Sequence, residues 1–197
     1  MLADLIARVG PIRHWPRDPD GPFAMLVRGI VYQQLAGRAA RAIYGRLRAT
    51  VGESVTPDAV SAASDTALLA AGLSRNKLAS LRDLSVKVLD GTVVLTPTSR
   101  LSDEELIARL VTVRGIGPWT AKMYLMIQLR RLDVWPVEDL GVRQGYGLAW
   151  KLDPPPTAKE LEPLGERFRP YRSIVARYCW AAVPLFRGGA TDAALRY

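Results

Sequence analysis

Apolar residues recur every three or four positions through most of this chain, and this period limits the fold to packed helices. The pattern is clearest in Phe23–Leu35 and in the stripe that runs from Leu78 to Val88. Further helical segments are predicted over residues 39–47, 119–129, 136–150 and 171–185. Val93–Leu95 suggests one short strand, for which no partner strand is evident. The sequence therefore predicts an all-α fold.

Helix-start signals support the same prediction. Thr56 precedes Pro57 as an N-cap before a first-turn proline, and Ser74 can cap the helix that Gly91 ends. Ser102 and Glu105 have the spacing of a capping box. The helices are expected to form one domain over residues 1–197 with two lobes, about 23–100 and about 101–197. The N-terminal segment is expected to pack on the second lobe, the active-site cleft to lie between the lobes, and residues 188–197 to fray.

Cysteine content and hydropathy exclude several classes of protein. Cys179 is the single cysteine, so the chain lacks both an intramolecular disulfide and the thiolates that a zinc or iron–sulfur site requires. No apolar run approaches the ~20 residues of a membrane span, and the N-terminus lacks the pattern of a signal peptide. The protein is therefore expected to be soluble and cytoplasmic.

The charge balance indicates a polyanionic partner. The 27 Lys and Arg residues exceed the 19 Asp and Glu residues, giving a formal net charge of +8 and a pI near 10.0. Arg28–Arg48 holds five arginines and no acid, and Arg75–Lys87 holds four basic residues against Asp83. Such a surplus favours nucleic acid through counterion release, although any one of these residues can equally belong to a solvated helix face.

Residues 110–121 carry the sharpest local motif. A capped helix ends near Leu110, the chain turns through Gly115 and Gly117, and Pro118 opens the next helix. Glycines at such a turn permit positive φ and close approach of the backbone to a ligand. The turn also directs amide N–H groups and a helix N-terminus outward, which suits a DNA phosphate.

Five ordered segments within about residues 20–187 resemble the helix–hairpin–helix DNA glycosylases, specifically the 3-methyladenine DNA glycosylase II branch. They are Ile30–Gly37 (IVYQQLAG), Gly72–Lys77 (GLSRNK), Gly115–Ala121 (GIGPWTA), Asp133–Asp139 (DVWPVED), and Pro170–Ser173 (PYRS) followed by Trp180. Trp135 replaces the phenylalanine of the family pattern. The resemblance implies a base-excision-repair enzyme that flips an alkylated purine out of damaged double-stranded DNA, hydrolyses its N-glycosidic bond and leaves an abasic site.

The resemblance implies that Asp139 is the catalytic carboxylate. Alkylation at N3 or N7 makes a purine cationic and a good leaving group, and a carboxylate beside the sugar stabilises oxocarbenium-like charge or activates water. Glu138 is the nearest rival and Asp133 a weaker one. Asp139 also fits a helix N-cap soon after Pro136.

A flipped cationic purine is best held between aromatic faces, by stacking and cation–π attraction. The predicted pocket residues are Trp119, Met123, Tyr124, Trp135 and Trp180. Trp119 and Trp180 match family pocket positions, whereas core packing explains Tyr124 and Trp135 equally well. Met123 stands where the family often has an aromatic residue.

A protein of this kind is expected to be a monomer and to associate with the nucleoid through DNA. The resemblance also implies a set of DNA contacts. Gln34 or Leu35 is expected to fill the gap left by the flipped base, with helix-end packing as the other interpretation. The family's hairpin often binds Na+ or K+ through backbone carbonyls, which here would be those of Val111, Val113 and Ile116. The predicted DNA-binding residues are Gln33, Gln34, Leu35, Arg75, Lys77, Arg114, Gly115, Gly117, Thr120 and Lys122.

Missing residue types define the expected chemistry. Bifunctional relatives carry a lysine directly after the hairpin, where this chain has Trp119, and Lys122 lies almost a full turn later. A monofunctional hydrolase without AP-lyase activity, iron–sulfur cluster or required cofactor is therefore expected. His14 and Trp15, in the short segment where longer relatives carry a β-rich domain, are interpreted as structural or incidental.

Three other functions fit part of the sequence. A non-catalytic helix–hairpin–helix module would explain the charge and the glycine turn, but not Asp139 among aromatic pocket candidates. A helix-turn-helix regulator would need an exposed polar recognition helix, whereas the helix after Pro118 is nearly all apolar. A mismatch or oxidised-base glycosylase is the third, and the missing lysine and cysteines argue against it.

Overall fold

A computed structural model describes residues 1–12, 15–52, 54–95 and 101–187, and every regular element within these ranges is helical, as predicted. The α-helices are α1 (Leu2–Val9), α2 (Pro22–Tyr32), α3 (Gly37–Val51), α4 (Pro57–Ala62), α5 (Asp65–Ala70), α6 (Arg75–Leu89), α7 (Asp103–Leu110), α8 (Pro118–Ile127), α9 (Leu140–Trp150), α10 (Ala158–Leu164) and α11 (Arg172–Arg187). Glu166–Phe168 form one 3-10 turn. His14 and the expected fraying of residues 188–197 lie outside the described residues.

The described chain divides into two compact units. One comprises residues 17–124, and the other combines residues 1–16 with those from Leu125 onward. The division falls within α8 rather than near residue 100, because the hairpin before α8 is bonded to α6 and belongs with the first unit. In the second unit α1 packs on α11, as expected for the N-terminal segment.

The capping signals in the sequence are confirmed. Thr56 accepts from the Ala59 amide at the start of α4, and Ser74 accepts from the Lys77 amide at the start of α6. The capping box of α7 is complete, with both reciprocal bonds present. A second capping box, formed by Thr157 and Glu160, starts α10. The sequence did not predict this helix start, because it directly follows the proline-rich connector.

Two predicted segments differ from the structure. The helix expected from Pro136 begins instead at Leu140, because residues 136–139 form a turn in which the Asp139 amide donates to the Pro136 carbonyl. Val93–Leu95 forms no strand; Val93 and Leu95 are buried as irregular chain. Among the helices described, none is long and apolar enough to cross a membrane.

Candidate functional site

Asp139 lies at the N-terminus of α9, where hydrogen bonds hold its side chain in place. Its Oδ1 accepts from the Val142 amide at 2.8 Å and from Trp180 Nε1 at 2.8 Å. The side chain is buried, with the residue 8% exposed. The first bond is the N-cap that the sequence allowed, and the second is no part of a cap. Together they fix the orientation of a buried carboxylate.

Two glycines of α9 set the spacing to the Trp180 helix, α11. A Cβ at Gly141 would lie 2.8 Å from Trp180 Cδ1 and 3.1 Å from Asp139 Oδ1, so only glycine leaves room for the indole there. One turn later, a Cβ at Gly145 would overlap the backbone of Cys179. The two helices approach closely enough for the indole to reach Asp139 because both positions lack a side chain.

Cys179, the neighbour of Trp180 in sequence, is completely buried. Burial, together with the negative charge of Asp139, raises the pKa of its thiol far above the usual range. Since the thiolate is the reactive form of cysteine, this residue serves packing rather than chemistry.

The two rival acids have different surroundings. Asp133 forms ion pairs with Arg172 Nε at 2.8 Å and Arg169 Nη1 at 2.7 Å. Burial acts to raise the pKa of Asp133, but its hydrogen bonds to Arg172 and the charges of both arginines hold that pKa below its ordinary value. Glu138 is exposed. Asp133 is therefore part of an ion-pair network. Of the two neighbouring acids Glu138 and Asp139, only Asp139 is buried.

Trp15, interpreted from sequence as structural or incidental, packs directly against Trp180. Their ring centroids are 5.2 Å apart with the planes tilted by 51°. The guanidinium of Arg177 lies over the Trp15 ring, with its Cζ 4.2 Å from the ring centroid. Trp15 is buried, as a structural residue would be, but it also touches the partner of Asp139. No periodic pattern includes Trp15, so the sequence offered no signal of this contact.

Trp135 belongs to an aromatic cluster. Its Nε1 donates to the Leu161 carbonyl at 3.0 Å, and its ring packs against Tyr146 and Phe168. A Cβ at Gly165 would collide with the indole. These contacts explain Trp135 by core packing, the alternative that the sequence left open, and correct the expectation that it lines a base pocket.

The other predicted pocket residues lie in the unit of residues 17–124. Tyr124 is 1% exposed and donates its hydroxyl to the Leu95 carbonyl at 3.1 Å, and burial raises its pKa. It too is accounted for by core packing. Met123 is buried and Trp119 is half-buried.

The hairpin turn, residues 111–117, is closed by the Ile116 amide, which donates to the Val113 carbonyl at 3.0 Å. Gly115 has a φ of +78°, and a Cβ there would lie 2.7 Å from Ser80 Oγ of α6. Gly117 has no positive φ and faces open space. Gly115 thus uses the positive φ that glycine permits, whereas Gly117 does not. Neither glycine amide donates to an acceptor among the described residues.

Side chains from α6 hold this turn in place. Asp83 Oδ2 accepts from the Arg114 amide at 2.7 Å and from Lys87 Nζ at 2.8 Å. Lys87 also donates to the Thr112 carbonyl. Burial acts to raise the pKa of Asp83, but these donors lower it below the ordinary value. The charged pair Asp83 and Lys87 of α6 therefore holds the hairpin by its backbone, in addition to apolar packing.

Gln33 and Lys77, both predicted to bind DNA, bond to the protein backbone. Gln33 Nε2 donates to the Gly115 carbonyl at 2.8 Å. Lys77 Nζ donates to the carbonyls of Val31 at 2.7 Å and Gln33 at 3.0 Å, where α2 ends and its last carbonyls need donors. These contacts connect the end of α2 to α6 and to the hairpin, and DNA binding by the two residues stays a prediction.

The following turn presents Gln34 and Leu35 to solvent. Gln34 adopts a φ of +57°, unusual for a residue other than glycine, and Leu35 is 38% exposed. Of the remaining predicted DNA contacts, Arg75 and Arg114 are exposed, and Arg114 Nη2 donates to Asn76 at 3.2 Å. Thr120 and Lys122 are half-buried.

The arginine-rich stretch from Arg28 to Arg48 contains no acid, but acids elsewhere in the chain neutralise part of its charge. Arg28 pairs with Asp18 and Arg48 with Asp20, both acids preceding the stretch. Arg46 donates to the Ala71 carbonyl, and Arg82 of the second basic stretch pairs with Asp65. Arg38 and Arg41 are exposed. Counting charges along the chain therefore overstates the surface available to a polyanion.

The class of protein to which this all-α chain and its hairpin turn belong is given by comparison with known families. The family model of HhH-GPD superfamily base excision DNA repair proteins matches residues 27–170. The chain belongs to this superfamily.

Particular relatives carry more specific names. The DNA-3-methyladenine glycosylase 1 of Schizosaccharomyces pombe is 36% identical over 185 residues, which cover 91% of this chain and 79% of the relative. A solved 3-methyladenine DNA glycosylase of that organism, in complex with abasic DNA, has a TM-score of 0.78 and 32% identity over 90% of this chain and 88% of its own. A DNA-3-methyladenine glycosidase from Bacillus halodurans has a TM-score of 0.85 and 31% identity over 97% and 93% of the two chains.

Proposed function

We propose that this protein is a DNA glycosylase that releases alkylated purines, 3-methyladenine and 7-methylguanine, from damaged double-stranded DNA. The observation that carries the proposal is the buried Asp139 carboxylate, fixed by the Val142 amide and the Trp180 indole. Membership of a base excision repair superfamily and the names of the relatives above support it.

The chemistry asks little of the protein beyond a well-placed negative charge. A purine alkylated at N3 or N7 is already cationic and leaves as a neutral base. Positive charge then develops at the sugar, and the Asp139 carboxylate stabilises it or activates the attacking water. Trp180, only 6% exposed in this structure without DNA, donates to that carboxylate, and we propose that its indole stacks on the cationic base.

We propose a monofunctional reaction. A strand-nicking lyase would need an amine to form a Schiff base, and the position after the hairpin holds Trp119, whose indole cannot do so. The product is then an intact strand with an abasic site.

The test is base release from methylated duplex DNA. We expect free 3-methyladenine and 7-methylguanine in the supernatant and strand breaks only after alkali. Breaks before alkali would contradict the monofunctional reaction. Tight DNA binding without release from methylated, deaminated or mismatched duplexes would favour a non-catalytic helix–hairpin–helix module.

The hairpin is proposed to bind the DNA backbone. The unused amides of Gly115 and Gly117 suit phosphate oxygens, with Arg75, Arg114, Thr120 and Lys122 as further contacts and Gln34 or Leu35 as the wedge. A Na+ or K+ ion held by the carbonyls of Val111, Val113 and Ile116 belongs to the same proposal. The Val113 carbonyl already accepts from Ile116, and its second lone pair leaves it able to bind a cation.

Gly117→Leu tests the hairpin with little risk to the fold, because a Cβ at Gly117 meets no atom within 4 Å. We expect about tenfold weaker binding to undamaged duplexes of any sequence, since the added side chain stands between the amides and phosphate. Fluorescence anisotropy on two unrelated duplexes measures this. Gly45→Leu, on an exposed and equally open position of α3, is the matched control. Equal DNA affinities of Gly117→Leu and Gly45→Leu would show that the hairpin is not part of the DNA interface.

A further inference from the structure

Arg177 is a buried cation without an acidic partner among the described residues. It is 6% exposed, and its Nε and Nη1 have no hydrogen-bond partner. Burial lowers the pKa of the guanidinium to about 10, which leaves it charged at neutral pH. Proteins rarely bury an arginine without pairing it, because desolvation of the charge is costly.

The position of this charge connects it to the candidate site. Its Cζ lies 4.2 Å from the Trp15 centroid, and Trp15 packs at 5.2 Å against Trp180, the donor to Asp139. Arg177 and Trp180 are three residues apart on α11 and so share a helix face. The guanidinium is therefore one ring away from the indole that orients the proposed catalytic carboxylate. In such buried surroundings its field is poorly screened by solvent and salt.

We propose that Arg177 determines substrate preference: its charge disfavours cationic alkylpurines relative to neutral damaged purines at the same site. The inference rests on the proposed glycosylase function. Like charges repel, so a cationic base next to Trp180 loses affinity that a neutral base keeps, while stacking on the indole serves both. In either case hydroxide from water bonds to the sugar carbon and the base leaves with the electrons of the glycosidic bond. The remaining proton of that water passes to solvent when the base is cationic and ends on the base when the base is neutral. The Asp139 carboxylate alone would favour cationic bases. The positive charge of Arg177 offsets this preference and so extends the substrate range to neutral bases.

The experiment compares release of 7-methylguanine, which is cationic in DNA, with release of two neutral bases, hypoxanthine and 1,N6-ethenoadenine. Single-turnover efficiencies are measured for wild type, Arg177→Met and Arg177→Lys. We expect Arg177→Met to raise the ratio of cationic to neutral release about tenfold, as removal of a nearby unit charge predicts at an effective dielectric constant of about 20. Arg177→Lys keeps the charge and is expected to keep the ratio near wild type.

The ratio separates specificity from folding. Loss of folded protein lowers release of all three bases together and leaves their ratio unchanged, and thermal unfolding records the fold independently. An unchanged ratio in Arg177→Met would overturn the inference. So would an equal change in Arg177→Lys, which would assign the effect to guanidinium shape instead of charge. Failure of wild type to release any base would refute the proposed function itself, a result distinct from an unchanged ratio.

Discussion

Asp139→Asn is expected to lower base release by at least about a hundredfold while leaving the fold and DNA affinity intact, because the charge is lost and little else changes. Asparagine keeps an oxygen that can accept from the Val142 amide and Trp180 Nε1. It is also as good an N-cap as aspartate, so α9 should retain its first turn. The variant therefore removes the negative charge at position 139 and keeps the hydrogen bonds that hold the side chain and the start of α9.

Single-turnover release of 7-methylguanine measures the effect, with anisotropy on the same duplex for affinity. Glu138→Gln is the matched control, because it removes one charge from the adjacent, exposed residue. We expect near wild-type release from this variant. The assignment of Asp139 would fail if Asp139→Asn stayed within a few-fold of wild type, and it would move to Glu138 if the two variants exchanged behaviour.

The helices were predictable because their signals are local. Ser102 and Glu105 bond to each other's backbone within a single turn, so four residues of sequence suffice to identify the start of α7. The N-cap role of Asp139 is local in the same sense. Its bond to Trp180 is not, because it joins residues 41 apart and depends on how closely α9 and α11 pack.

Residue type alone could not separate site residues from core residues. Trp135 and Trp180 were both candidate pocket residues, yet Trp135 donates to Leu161 inside an aromatic cluster while Trp180 donates to Asp139. Trp15 reaches Trp180 only after the N-terminal segment folds back.

The internal contacts of the basic residues could not be predicted for a different reason. The acceptors of Lys77 are backbone carbonyls, at Val31 and Gln33, and carbonyl acceptors have no sequence signature. A lysine that caps a helix and a lysine that binds phosphate therefore look the same in a sequence. Only the fold decides which carbonyls lack a donor.

Gly145→Ala is expected to be the most destabilising glycine-to-alanine substitution among the described residues of the unit that combines residues 1–16 with those from Leu125 onward. The new Cβ would overlap the backbone of Cys179, which cannot rotate away as a side chain could, so α9 and α11 must separate. Overpacking of this kind costs about 3 kcal/mol or more, and for a chain of this size that corresponds to a Tm lower by roughly 10 °C.

Calorimetry measures the loss, with Gly45→Ala as the matched control. Gly45 lies in the exposed part of α3 with open space around it, so alanine there should leave Tm unchanged or raise it. Because Cys179 precedes Trp180, separation of the helices also draws the indole away from Asp139. Base release at temperatures where the variant stays folded should therefore fall too. A variant with normal Tm and normal release would show that contact between α9 and α11 at Gly145 does not position the carboxylate.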